Sequence, residues 1–174
     1  MAIAILALAS ALAKAISSDA PLVKQYLDES HCWKVSGVRA AEDFFRAVSL
    51  LVPDATHMFL EGSPDPDIAA LLADAADDAV EYAAPVGTMW SWPQKNRRFS
   101  VQASPELFAR LSSASLNHAE PEICDHVHVY RGQEPLVQWF DAFSNPLLIS
   151  PSVTRERVEQ FASAAGGTLT ECCH

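Results

Sequence analysis

The sequence predicts an α+β fold: a mainly antiparallel sheet built from two β-hairpins, helices packed on one face, and N-terminal helices at an edge. Three observations carry it. Residues 125–130 alternate apolar and polar side chains, and a glycine-led turn and a second strand-like run follow. Two more strand-like runs, 86–92 and 97–102, flank Pro93-Gln94-Lys95-Asn96. Around these hairpins lie stretches with helical spacing of apolar residues, two of them opened by Ser-Pro or Asp-Pro.

The chain has 174 residues, 49% of them hydrophobic, with a mean hydropathy of +0.06. That suits one domain with a sizeable core, divided into a helical N-terminal part (1–52) and an α+β core (53–174). A net charge of −10 repels phosphate backbones and so argues against nucleic-acid binding. The four cysteines show no disulfide spacing, which fits reduced thiols and a cytoplasmic protein.

Residues 1–13 are apolar but too short for a bilayer span, and the first lysine is Lys14. The stripe Ile5, Leu8, Leu12, Ile16 predicts a packed helix there, with an atypical export signal as the competing reading. A second helical piece is expected over 21–29 and a connector over 31–34. A helix over 38–51 carries Phe44, Val48 and Leu51 on one face and stops before Pro53. Residues 56–60 read as a short strand.

Asp65 then caps a helix, with Pro66 in its first turn and Asp67 placed to complement the dipole. Ile68, Leu71, Leu72, Ala75 and Ala79 form its buried stripe, and Asp74, Asp77, Asp78 and Glu81 an acidic face. Ser104-Pro105 starts the next helix, reaching to about residue 118, with Leu107, Phe108, Leu111 and Leu116 inward. Residues 147–149 read as a short strand. A last helix with Val158, Phe161, Ala162 and Ala165 on one face ends at Gly166-Gly167.

The chemistry-bearing residues gather on the hairpin at 124–143. A type II′ turn at Gly132-Gln133 sets Arg131 opposite Glu134, His128 opposite Val137, His126 opposite Trp139 and Cys124 opposite Asp141. Val127, Val129, Leu136 and Phe140 then face the core. Cys124, His126, His128, Tyr130, Trp139 and Asp141 share the other face. A turn one residue longer would exchange the faces of the second strand.

Two histidines at i, i+2 stand roughly 6–7 Å apart on one side of a strand. With Asp141 as a third ligand, His126 and His128 can hold a divalent transition metal such as zinc. His118, Glu120, Glu122 and Cys124 are further donors, and Glu120 or Glu122 is the candidate general base of a metal-dependent hydrolase. The plainer reading is that both histidines are structural. No nucleophile elbow, phosphate loop or spaced metal motif is present. The leading functional expectation is therefore a non-catalytic acidic protein-interaction or ligand-binding domain. It meets a basic partner through Asp74, Asp77, Asp78 and Glu81. The metal-binding or metal-hydrolase reading is the alternative.

Overall fold

The computed structural model describes residues 26–76 and 97–170. In chain order they form β1 (Trp33–Ser36), α1 (Ala41–Leu51), β2 (His57–Gly62), α2 (Pro66–Asp74) and β3 (Arg97–Gln102). Then follow α3 (Pro105–Ser115), β4 (His126–Arg131), β5 (Glu134–Trp139), β6 (Leu147–Ile149), α4 (Arg155–Ala164) and β7 (Thr168–Thr170). The strands make one sheet in the order β3-β2-β4-β5-β6-β1-β7, and every neighbouring pair is antiparallel. The expected α+β class with an antiparallel sheet is what the chain adopts.

One face of the sheet is apolar. Met58 and Leu60 of β2, Phe99 and Val101 of β3, Val127 and Val129 of β4, and Val137 and Trp139 of β5 pair across it. All four described helices contribute to the same buried cluster, through Phe44, Ile68, Leu111 and Phe161 among others. Phe44 lies near its centre, 5.0 Å from the Trp139 ring and 6.1 Å from Phe161. Side chains cap two of the helices: Asp65 accepts from the Asp67 amide, and Ser104 from the Leu107 amide.

The central hairpin has the expected turn but not the expected register. Gly132 takes φ +57 and Gln133 does not have positive φ, the type II′ pattern, and Arg131 pairs with Glu134. The ladder then slips: Tyr130 pairs with Pro135, but Val129 pairs with Val137, leaving Leu136 as an extra residue in a β-bulge. His128 is therefore opposite Gln138, and Trp139 is opposite Val127 on the core face. Trp139 leaves the histidine face and Phe140 joins it, the reverse of the expectation.

Gln138 explains the slip. Strict alternation from Leu136 would drive Gln138 into the apolar core, where an unpaired amide costs about 1–3 kcal/mol. The bulge puts Leu136 and Val137 both into the core cluster. Gln138 instead faces the second side of the sheet, where its Oε1 accepts the Leu27 amide at 2.7 Å.

Other boundaries shift as well. Residues 31–34 were expected to be a connector, but Trp33–Ser36 is a strand between β6 and β7. The part before residue 52 is thus not purely helical, and residues 26–31 form neither helix nor strand. Thr168–Thr170 adds a strand after the last helix. Leu116, expected inside, lies past the end of α3 and is 65% exposed. β3 pairs along its whole length with β2. Its expected hairpin partner, 86–92, lies outside the described residues, as do the helix at 2–17, most of the one at 21–29, and Ala79.

The second face of the sheet is also covered. His57, Phe59 and Glu61 pair there with Tyr130, His128 and His126. The segment before β1 lies over its far part: Tyr26 meets Phe140 ring to ring at 6.2 Å, and Leu27 and Cys32 cluster with Leu148.

Candidate functional site

His126 and His128 are both buried, at 4% and 1% exposure. The His128 ring is enclosed by Phe140 (4.9 Å, edge-on), Phe59 (6.0 Å, edge-on) and Tyr130 (6.4 Å, stacked). Its Nδ1 meets the Tyr130 hydroxyl at 3.4 Å, and its Nε2 is buried without a hydrogen-bond partner. Burial pushes the imidazole pKa down to about 4, and His126 adds to the shift. The ring is neutral at pH 7.

His126 has a different task. Its Nδ1 accepts the Asp141 amide at 3.0 Å, at the point where β5 ends and the chain turns away. The next residues are tightly tied. Ala142 donates to the Asp125 carbonyl at 2.7 Å, and Ser144 and Asn145 donate to the Asp141 carbonyl at 3.0 and 3.1 Å. Trp139 Nε1 donates to the Asn145 carbonyl at 2.8 Å, and the Phe143 ring packs 4.5 Å from Trp139. These contacts hold Asp141 at φ +44 and Phe143 at φ +70, left-handed conformations that cost a non-glycine residue free energy.

The tied loop forms one wall of a cavity of about 470 Å³, whose lining includes Arg39, Glu120, Cys124, Asp125, Asp141 and Phe143. Gly62 packs against the chain that carries Cys124 and Asp125: a Cβ there would lie 2.7 Å from the Asp125 nitrogen and 3.1 Å from the Cys124 Cα. Only glycine lets β2 approach the chain entering β4 so closely. Three carboxylates and one guanidinium line the cavity, and none of the four is in an ion pair among the described residues. The Cys124 thiol in the wall is 2% exposed. Burial pushes its pKa far up, with the Asp125 charge adding, so it stays a neutral thiol and a poor nucleophile.

The predicted ligand set His126, His128 and Asp141 does not converge. His126 spends Nδ1 on the Asp141 amide, His128 is enclosed by aromatic rings, and the Asp141 carboxylate accepts from Asn145 Nδ2 at 3.3 Å in an exposed position. A group that can hold a metal ion does occur elsewhere. Asp65, Asp67 and His118 each present one donor atom, all within 4.8 Å of one another. The Asp65 amide donates to the Glu122 carbonyl at 2.8 Å, which ties the 118–122 segment to the start of α2. Glu122 Oε2 stands 3.9 Å from His118 Nδ1 and accepts the Ala119 amide.

Of the predicted general bases, Glu120 lines the cavity and Glu122 stands beside His118. Of the predicted acidic face, Asp74 pairs with Arg110 at 3.1 Å. Asp77, Asp78 and Glu81 lie outside the described residues. Nothing in the sequence singles out Arg39 or Phe143, and Asp125 reads there only as a residue pointing away from His126 on an ideal strand. Asn145-Pro146 was the available signal, since it marks a turn and places the end of the strand before Phe143.

Comparison of the chain with protein-family models, with curated proteins and with solved structures finds no match.

The neutral, buried His128 makes stability depend on pH. Its folded pKa of about 4 lies below the ordinary 6.5, so the unfolded chain takes up the proton first as pH falls. Its penalty is absent above about pH 6.5, grows between pH 6.5 and 4, and reaches roughly 3 kcal/mol below that. Urea unfolding across this range should show wild type losing stability relative to His128→Phe. Parallel curves for the two proteins would contradict the burial account.

Proposed function

We propose that the chain is a non-catalytic binding domain for a positively charged partner or ligand, received at the cavity lined by Arg39, Glu120, Asp125 and Asp141. The observation that carries this reading is the excess of carboxylates around a preformed cavity, none of them in an ion pair among the described residues. The net charge of −10 draws basic partners from a distance and disfavours nucleic acid. The volume lies within the roughly 300–1,000 Å³ range of ligand sites. The nearest thiol is neutral, and both buried histidines are occupied in packing or in holding the loop, which favours binding over catalysis. Among the described residues no helix is long and apolar enough to cross a membrane.

Calorimetry with tetralysine tests this. Asp125→Asn/Asp141→Asn should weaken binding about tenfold or more, the worth of one or two charge-assisted hydrogen bonds. The control Glu106→Gln/Glu156→Gln, which removes two exposed charges elsewhere, should change it less than about threefold through screened long-range effects. Equal weakening by both would point to diffuse charge and remove the cavity from the account.

A second reading, a metal-binding protein, is favoured by the convergence of Asp65, Asp67 and His118. Two carboxylates and an imidazole suit a divalent transition ion such as zinc. Titration with zinc should show one site that is lost in Asp67→Asn/His118→Ala. Asp65 is left intact there because it caps α2. Unchanged zinc uptake by that variant would sink this reading.

A further inference from the structure

The cavity's charges are of both signs, and they do not meet. Elsewhere the described arginines commonly satisfy themselves within the protein: Arg98 with Glu61, Arg110 with Asp74, Arg155 with Glu159, and Arg131 with both Asp54 and Glu134. Arg39 lines the same cavity as three carboxylates, yet among the described residues no carboxylate comes within 4.0 Å of its guanidinium. A cavity that presents a guanidinium and several carboxylates, held apart, matches a ligand that is itself bipolar.

We infer that the cavity takes an α-amino acid with a cationic side chain, its carboxylate on Arg39 and its cationic groups on Asp125, Asp141 and Glu120. This rests on the reading of the cavity as a site for positive charge and adds the anionic end. Guanidinium and carboxylate match as a planar two-hydrogen-bond pair, which a lysine at this position could not reproduce. The acidic end is built in advance. Asp125 donates its amide to the Glu61 carbonyl at 2.8 Å and accepts from Ala142, and Asp141 is fixed by His126. With the backbone of both aspartates held, only side-chain rotation is lost when the carboxylates bind. Phe143 supplies an apolar wall for the methylenes of the ligand's side chain. The same chemistry is offered by a free basic amino acid and by a basic residue at the C-terminus of a chain.

Calorimetry on the full chain separates these cases. The probes are L-arginine and L-lysine, their carboxylate-free counterparts agmatine and cadaverine, and the dipeptide Gly-Arg. At least one amino acid should bind about tenfold or more tighter than its decarboxylated counterpart, the worth of one charged two-hydrogen-bond contact. Arg39→Gln, at an exposed position, should abolish that preference without weakening the decarboxylated probe. Gly-Arg binding as tightly as L-arginine assigns the C-terminal source, and weaker Gly-Arg binding assigns the free amino acid; both support the inference. Equal affinity for amino acid and decarboxylated probe overturns the bipolar ligand while leaving the cationic site standing. Absence of binding by all five probes overturns both.

Discussion

The register slip between Val129 and Tyr130 is the constraint on which the rest of this structure depends. By adding one residue to β5 it turns Trp139 toward Phe44 and the helices, and Phe140 toward the histidines. Trp139, 1% exposed, is among the largest fully buried side chains, and losing a side chain of that size typically costs roughly 3–5 kcal/mol. Its indole nitrogen reaches out of the core to the Asn145 carbonyl. The same residue therefore anchors the core and fixes the far end of the loop that walls the cavity. An unbulged hairpin would point Trp139 away from the core, bury the Gln138 amide among aliphatic groups, and leave that loop without its indole anchor.

The two histidines that dominate the sequence have roles that their spacing does not reveal. His128 fills an aromatic enclosure as a neutral ring, and its unpaired Nε2 is a cost borne by the surrounding packing. His126 holds the Asp141 amide and so helps maintain a left-handed backbone that an aspartate does not adopt freely. Strain of this kind persists only where several contacts over-determine the chain. Here six hydrogen bonds made by residues 139–145 and an aromatic contact do so.

Much of the fold was legible. The apolar face of β4, the type II′ turn, the Asp65 and Ser104 caps, and the inward stripe of α4 all follow from local pattern, and local pattern is what those features obey. The bulge was hidden because each strand alternates well on its own; the clue was Gln138 in a stripe that was read as core. β1, with Trp33-Lys34-Val35-Ser36, is too short to show a period, and β7 has a single apolar residue between two threonines. Such strands form because neighbouring strands await their hydrogen bonds, a tertiary cause. The cavity was legible only in fragments. Glu120, Cys124 and Asp141 stand out in the sequence as chemistry-bearing residues, but Arg39 comes from a segment some eighty residues earlier. Likewise, the sequence marks His118 as a donor, and only the fold brings it to Asp65 and Asp67.

A hydrogen-bonded loop thus walls a mostly acidic recess on a strongly acidic protein. Binding there, not chemistry at the histidines, is the central claim. Mapping of backbone amide chemical shifts during a tetralysine titration tests it most directly. The account predicts that the largest changes fall on Asp125, Asp141, Ala142 and Ser144. Changes spread over the exposed faces of α2 and α4, with residues 141–144 unmoved, would contradict it.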